Sequence, residues 1–260
     1  MSRTDFENLD TEKTVAILPI AAVEQHGPHL PVSVDTDLAI GLVEATVARI
    51  PDDLPATFLP VQAVGKSNEH IMSAGTLTLS FQTAYASWFE IAECVHRAGI
   101  KRLVIMSSHG GNVTTMNTLA RDIRVALGML VVATGWYSMG VPDGLYDPEE
   151  LKLGIHGGDV ETSMMLHLKP DLVDMSKAEN FAIKHRAKMN DAPALNRLGT
   201  LPFGWIADDL NDKGAVGDAR PATAEKGLST INYQADRTIE LLRDVSNFDL
   251  SILSSYGRED

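Results

Sequence analysis

The chain has 260 residues, 44% of them hydrophobic, a composition that predicts a folded globular protein with ample core and excludes a disordered one. Its formal net charge of -13 excludes a nucleic-acid binder or a binder of anionic membranes, both of which call for basic patches. A single cysteine, Cys94, excludes an intramolecular disulfide, and its apolar, helix-like surroundings predict inert core packing.

In chain order, the polar residues to about Lys13 form a short helix or cap. Val15 to Val23 is a continuous apolar run, which predicts a strand buried on both faces of a parallel sheet. It ends abruptly in a loop carrying Glu24, His26, His29, Asp35 and Asp37, stiffened by Pro28 and Pro31. Thr36 or Asp37 caps a helix whose apolar positions Leu38, Leu42, Val43, Val47 and Ile50 recur at helical spacing, and Pro51 and Pro55 end it. Phe58 to Val64 is a second strand, followed by a loop from Gly65 to His70 and a short extended piece from Gly75 to Leu79.

Gln82 to Ala98 reads as a helix stopped by Gly99. Leu103 to Met106 is a buried strand running into Ser107-Ser108-His109-Gly110-Gly111-Asn112. Thr114 to Leu127 is the next helix and Met129 to Thr134 the next strand. Gly140 to Gly154 is a loop, and Asp159 caps a helix from Val160 to Leu168 that Pro170 stops. Asn180 to Arg220 is a weakly patterned excursion, and Glu225 to Val245 a long terminal helix. Strands alternating with helices predict a mostly parallel sheet covered on both faces, in a single domain over 1–260. The first residues lack the apolar core of a signal peptide and no apolar run is long enough for a bilayer, so the expected location is the cytoplasm, with no membrane partner.

Ligands in parallel sheets bind beyond the strand carboxyl ends. Three segments deliver metal-ligand side chains there. The first supplies Glu24, His26 and Asp35; in an extended chain Glu24 and His26 point to the same side. The second supplies His109, with Gly110 and Gly111 leaving room for a ligand. The third, His156-Gly-Gly-Asp-Val-Glu161, pairs a turn with a helix start. Two histidines with three carboxylates suit a pair of divalent metals, with Asp35, short and on a stiffened loop, as the bridge. Such a pair is equipment for hydrolysis of a carbonyl compound. Motifs for a serine hydrolase elbow, a P-loop, a zincin or a dinucleotide fold are absent from the sequence.

At these residues the chain resembles the creatininase family. The resemblance lies in Glu24-Gln-His26-Gly-Pro-His-Leu-Pro with Asp35, and in Glu69-His70 with Gly75-Thr76. It continues through Ser108-His109-Gly-Gly-Asn112, His156-Gly-Gly-Asp-Val-Glu161-Thr-Ser and Gly214 to Gly227. It implies a three-layer α/β/α sandwich and two divalent metal ions per chain (Zn, Mn or Fe). The implied reaction is hydrolysis of a C–N bond other than a peptide bond, in a cyclic amide, formamide or similar small polar substrate. A homo-oligomer, often a hexamer, is implied as well. By position, Glu24 and His109 serve one metal, His26 and Glu161 the other, and Asp35 bridges. His156 stands where the family handles the leaving nitrogen's proton, and Glu161 counts with it in the catalytic set. Glu69, His70, Gly110, Gly111 and Asn112 fall on the substrate side. Creatininase itself resembles His-Tyr-Glu after the strand, where this chain has Gly110 and Gly111, so Glu161 completes the second metal and creatinine is not the expected substrate. The same scaffold also accommodates cleavage of a C–C or ester bond in a keto-sugar, or a non-catalytic metal-binding role.

Overall fold

A computed structural model describes residues 2–186, 191, 195 and 202–254. After a short helix α1 (Arg3–Glu7), strand β1 (Val15–Ile20) leads to helix α2 (Val34–Val47) and strand β2 (Ala56–Phe58). Then come α3 (Phe81–Arg97), β3 (Arg102–Ser107), α4 (Val113–Leu127) and β4 (Leu130–Gly135). Helices α5 (Pro148–Leu153) and α6 (Asp159–Leu168) follow, and a terminal helix, α7 (Ala224–Asn247), closes the described fold. The four strands form one sheet in the order β2-β1-β3-β4, every pair parallel.

The two central strands are buried along their whole length, as their continuous apolar sequences require. Their side chains alternate between the two faces. Val15, Ile17, Val104 and Met106 join α2, α6 and α7 in one core, while Ala16, Leu18, Leu103 and Ile105 join α3 and α4 in the other. Each large buried aliphatic stabilises the fold by about 1.5–3 kcal/mol relative to exposure. The result is the expected three-layer α/β/α sandwich with a parallel central sheet. Among the described residues no helix is long and apolar enough to cross a membrane.

Several expectations are corrected. The β1 ladder stops at Ile20; Val23 instead pairs antiparallel with Leu77. The second strand is shorter and earlier than Phe58 to Val64, because Pro60 cannot donate to a ladder, and pairing resumes only at the Gln62–Ile20 bridge. Helix α2 begins at Val34 after Ser33, so Asp35 lies in its first turn and not in a stiffened loop. Asp37 accepts from the Ser33 hydroxyl at 2.7 Å and Thr36 donates to the Ala22 carbonyl, so neither caps the helix. The stretch expected as a loop from Gly140 to Gly154 contains α5, with Asp147 accepting from the Glu149 amide at 2.7 Å and Pro148 at the first helical position. Asp159 lies inside α6; its buried carboxylate accepts from Ser163 and from Lys226, joining α6 to α7. Cys94 is exposed, not packed in a core. Part of the excursion from Asn180 to Arg220 lies outside the described residues; within the rest, Asn180–Phe181 pairs antiparallel with Gly217–Asp218.

Candidate metal centre

The parallel register puts Ile20 of β1 beside Ser107 of β3, so both chains leave the sheet at one edge. Glu24 and His26 follow β1, and His109 follows β3. The Ser108 hydroxyl donates to the Asp35 carbonyl at 2.8 Å, tying the loop after β3 to the first turn of α2. His156 pairs with Val216 through a backbone bridge just ahead of α6, whose first turn carries Glu161. The Gly157 amide donates to the Glu161 carboxylate at 2.6 Å, which fixes it over the turn.

Among the described residues the ligand atoms form three overlapping groups: Glu24, Asp35 and His109; His26, His156 and Glu161; and Glu24, His70 and His156. His109 Nε2 lies 3.2 Å from Glu24 Oε2, and His109 Nδ1 3.6 Å from Asp35 Oδ2. His26 Nε2 lies 3.8 Å from both Asp35 Oδ1 and Glu161 Oε2. His156 Nδ1 is 3.5 Å from Glu24 Oε1. Two donors on one zinc-sized ion, each about 2.0–2.2 Å from it, stand about 3.3 Å apart. The observed separations lie at and slightly above that edge length.

Four buried atoms here have no hydrogen-bond partner among the described residues: both carboxylate oxygens of Glu24, His26 Nε2 and Asp35 Oδ2. Orphaned polar atoms of this kind cost free energy unless something satisfies them. Three of the histidines also have one ring nitrogen engaged by a backbone carbonyl, an arrangement common around metal centres. His26 Nδ1 is 3.0 Å from the Glu24 carbonyl, His109 Nε2 3.1 Å from that of Lys66, and His156 Nε2 2.6 Å from that of Gln25. The donor set therefore fits divalent metal.

Electrostatics agree. Burial, then the neighbouring Glu24, raises the Asp35 carboxyl well above its usual range, and burial raises that of Glu161. Burial works against ionised Glu24 too, but His109, His156 and His70 outweigh it and hold its carboxyl low. Burial pushes His26, His70 and His156 down to about 4, so they are neutral, as ligands must be. His109, facing Glu24, Glu69 and Asp35, is raised despite its burial. Two buried carboxyls, Asp35 and Glu161, raised by burial and by the nearby Glu24, form a site that a divalent cation relieves.

The structure thus brings Glu24, His26, Asp35, His109, His156 and Glu161 together. The residues expected on the substrate side separate. His70 is buried inside the ligand cluster, its ring 4.2 Å from that of His156. Glu69 Oε1 lies 3.3 Å from His109 Nε2. A side chain at Gly111 would overlap Glu69 and the His109 ring, so glycine is needed there, whereas one at Gly110 would meet open space. The Asn112 amide accepts from the Lys66 N–H and donates to the Ala21 carbonyl and the Ser107 hydroxyl, so it braces the loops. His29 stacks on Phe181 and hydrogen-bonds Thr162, away from the ligand atoms. Sequence reasoning missed Gln25, whose side chain contacts His70, although its place between two ligand-type residues was the available signal.

A family model described as "Creatininase: Creatinine amidohydrolase" matches residues 1–242. A mycofactocin precursor peptide peptidase from Mycobacterium tuberculosis (strain CDC 1551 / Oshkosh) is 31% identical over 220 residues, 81% of this chain and 77% of that protein. A creatinine amidohydrolase from Pseudomonas putida is 32% identical over 180 residues, 63% of this chain and 67% of that one. Among solved structures, a mutant creatininase of Zn–Zn type is similar in fold, with a TM-score of 0.73 and 24% identity over 95% of this chain and 97% of that one.

Proposed function

The chain belongs to the creatininase family of hydrolases, and on that premise we propose that it is an amidohydrolase with two divalent metal ions, cleaving a C–N bond in a cyclic amide, formamide or similar small polar substrate. The observation that carries this reading is the convergence of four buried, unpartnered ligand atoms from Glu24, His26 and Asp35. In it, Glu24, Asp35 and His109 hold one ion, and His26 and Glu161 hold the other together with Asp35. The two relatives, one a peptidase and one an amidohydrolase, support C–N chemistry, and the Zn–Zn type of the solved neighbour supports a paired centre.

When bound, two such ions polarise a substrate carbonyl and lower the pKa of water. The protein's own residues do the rest. His156 keeps Nε2 bonded to the Gln25 carbonyl and turns Nδ1 toward Glu24 and the ligand atoms. Nδ1 is therefore the atom that accepts a proton and returns it to the leaving nitrogen, which cannot depart as an anion. Gly110 leaves open space beside His109, with no side chain to wall off a flat ring.

The test is hydrolysis of a panel of cyclic amides, formamides and small peptides by zinc- or manganese-loaded protein, with and without chelator. The expected result is chelator-sensitive turnover of an amide or formamide, with creatinine well below a typical enzyme rate of about ten per second. No hydrolysis across the panel, or turnover indifferent to chelator, contradicts the reading. Creatinine turnover at the typical rate contradicts the role given to the open space at Gly110.

A further inference from the structure

We propose that Gln25 is a positioning residue that fixes the proton positions of two histidines at the centre, making His70 an N–H donor toward Glu24 and leaving His156 with a lone pair. This rests on the metal-centre reading and adds to it a residue outside the ligand set.

The geometry fixes each proton in turn. Gln25 Oε1 accepts from the Gly27 amide at 2.9 Å, so the other end of the side-chain amide is the NH2 group. That group meets His70 Nδ1 at 2.7 Å, the Gly214 carbonyl at 3.0 Å and, farther off, His156 Nε2 at 3.3 Å. Its two hydrogens go to the two nearer contacts, and a donor opposite His70 Nδ1 makes that nitrogen the acceptor. Neutral His70 therefore carries its proton on Nε2, which lies 3.4 Å from Glu24 Oε1. The backbone carbonyl of the same Gln25 can only accept, and His156 Nε2 lies 2.6 Å from it. Neutral His156 thus has its proton on Nε2 and its lone pair on Nδ1, 3.5 Å from the same Glu24 oxygen. Gly214 makes this approach feasible: its φ is +85°, and a Cβ there would overlap the Gln25 amide.

Two consequences follow. Glu24, His70 and His156 have ligand spacing, but a protonated Nε2 cannot ligate, so this group is not a third metal position. Instead, the His70 N–H stands against Glu24 Oε1 at a distance too long to satisfy that oxygen, and opposes its rotation away from the ligand cluster.

The experiment is a magic-angle-spinning 15N spectrum of histidine-labelled protein, metal-free and zinc-loaded, joined to zinc affinity from competition with a chelating dye. His70 is expected with its proton on Nε2 in both forms. Gln25→Glu places an oxygen opposite Nδ1 and is expected to put a proton on that nitrogen. Gln25→Glu and His70→Phe should each weaken zinc binding roughly 10- to 100-fold, the usual loss when a residue that orients a ligand is removed. The wild-type spectrum decides the matter even if a variant fails to fold. A His70 proton on Nδ1 in the metal-free wild type, or zinc on His70 Nε2, overturns the proposal, as does Gln25→Glu with unchanged spectrum and affinity. Wild-type protein that binds no zinc contradicts the metal-centre reading, while the metal-free spectrum still reports the tautomers.

Discussion

Asp35→Ala is expected to reduce turnover by more than about a thousandfold, because it removes a carboxylate that faces both His26 and His109. Oδ1 is turned to His26 at 3.8 Å and Oδ2 to His109 at 3.6 Å, and the residue is 2% exposed. An acid held between two histidines in this way is placed as the proposed bridge requires, and the other acid of the first turn of α2, Asp37, is engaged by Ser33. The same burial that raises its carboxyl predicts a second effect. Without metal, removing this buried acid relieves repulsion from Glu24, so metal-free Asp35→Ala should melt no lower than metal-free wild type. Added zinc should raise the melting temperature of the wild type much more than that of the variant. Thermal melts with and without zinc, beside steady-state kinetics, check both effects. Turnover within tenfold of wild type removes Asp35 from the centre.

His156→Ala is expected to keep bound metal yet lose roughly a hundredfold or more in turnover. The residue is 9% exposed, its Nε2 is engaged by the Gln25 carbonyl, and only Nδ1 faces the ligand atoms. A leaving amide nitrogen must gain a proton as the bond breaks, and His156, neutral because burial pushes it down to about 4, can return there the proton that its Nδ1 has first accepted from water. The loss should shrink on an activated anilide or ester, whose leaving group departs without a proton. Equal losses on both substrate types, or loss of metal, reject the proton-handling role and make His156 a ligand or a brace.

The parallel sheet was legible because β1 and β3 are apolar without interruption, which only a strand covered on both faces tolerates. The clustering of the candidate ligands was legible because Glu24, His26 and His109 directly follow those strands. Local capping chemistry was less so. Asp147-Pro148 marks the start of α5, but the glycines and acids around it read as a loop. Asp35 looked like a loop residue because Thr36 and Asp37 are good capping types, yet Ser33 precedes the helix and the tertiary bond from Ser108 holds its start. The division of labour among Gln25, Glu69, His70 and Asn112 was not legible at all. It depends on contacts between residues far apart in the chain, such as His70 against His156 and Asn112 against Ala21 and Lys66.

The central claim, a paired metal centre, is tested most directly by metal analysis of protein purified without chelator. Two divalent ions per chain is the predicted content, from one ligand group of Glu24, Asp35 and His109 and a second of His26, His156 and Glu161, with Asp35 Oδ1 3.8 Å from His26 Nε2 between them. A content near one, unchanged in Asp35→Ala, would contradict it.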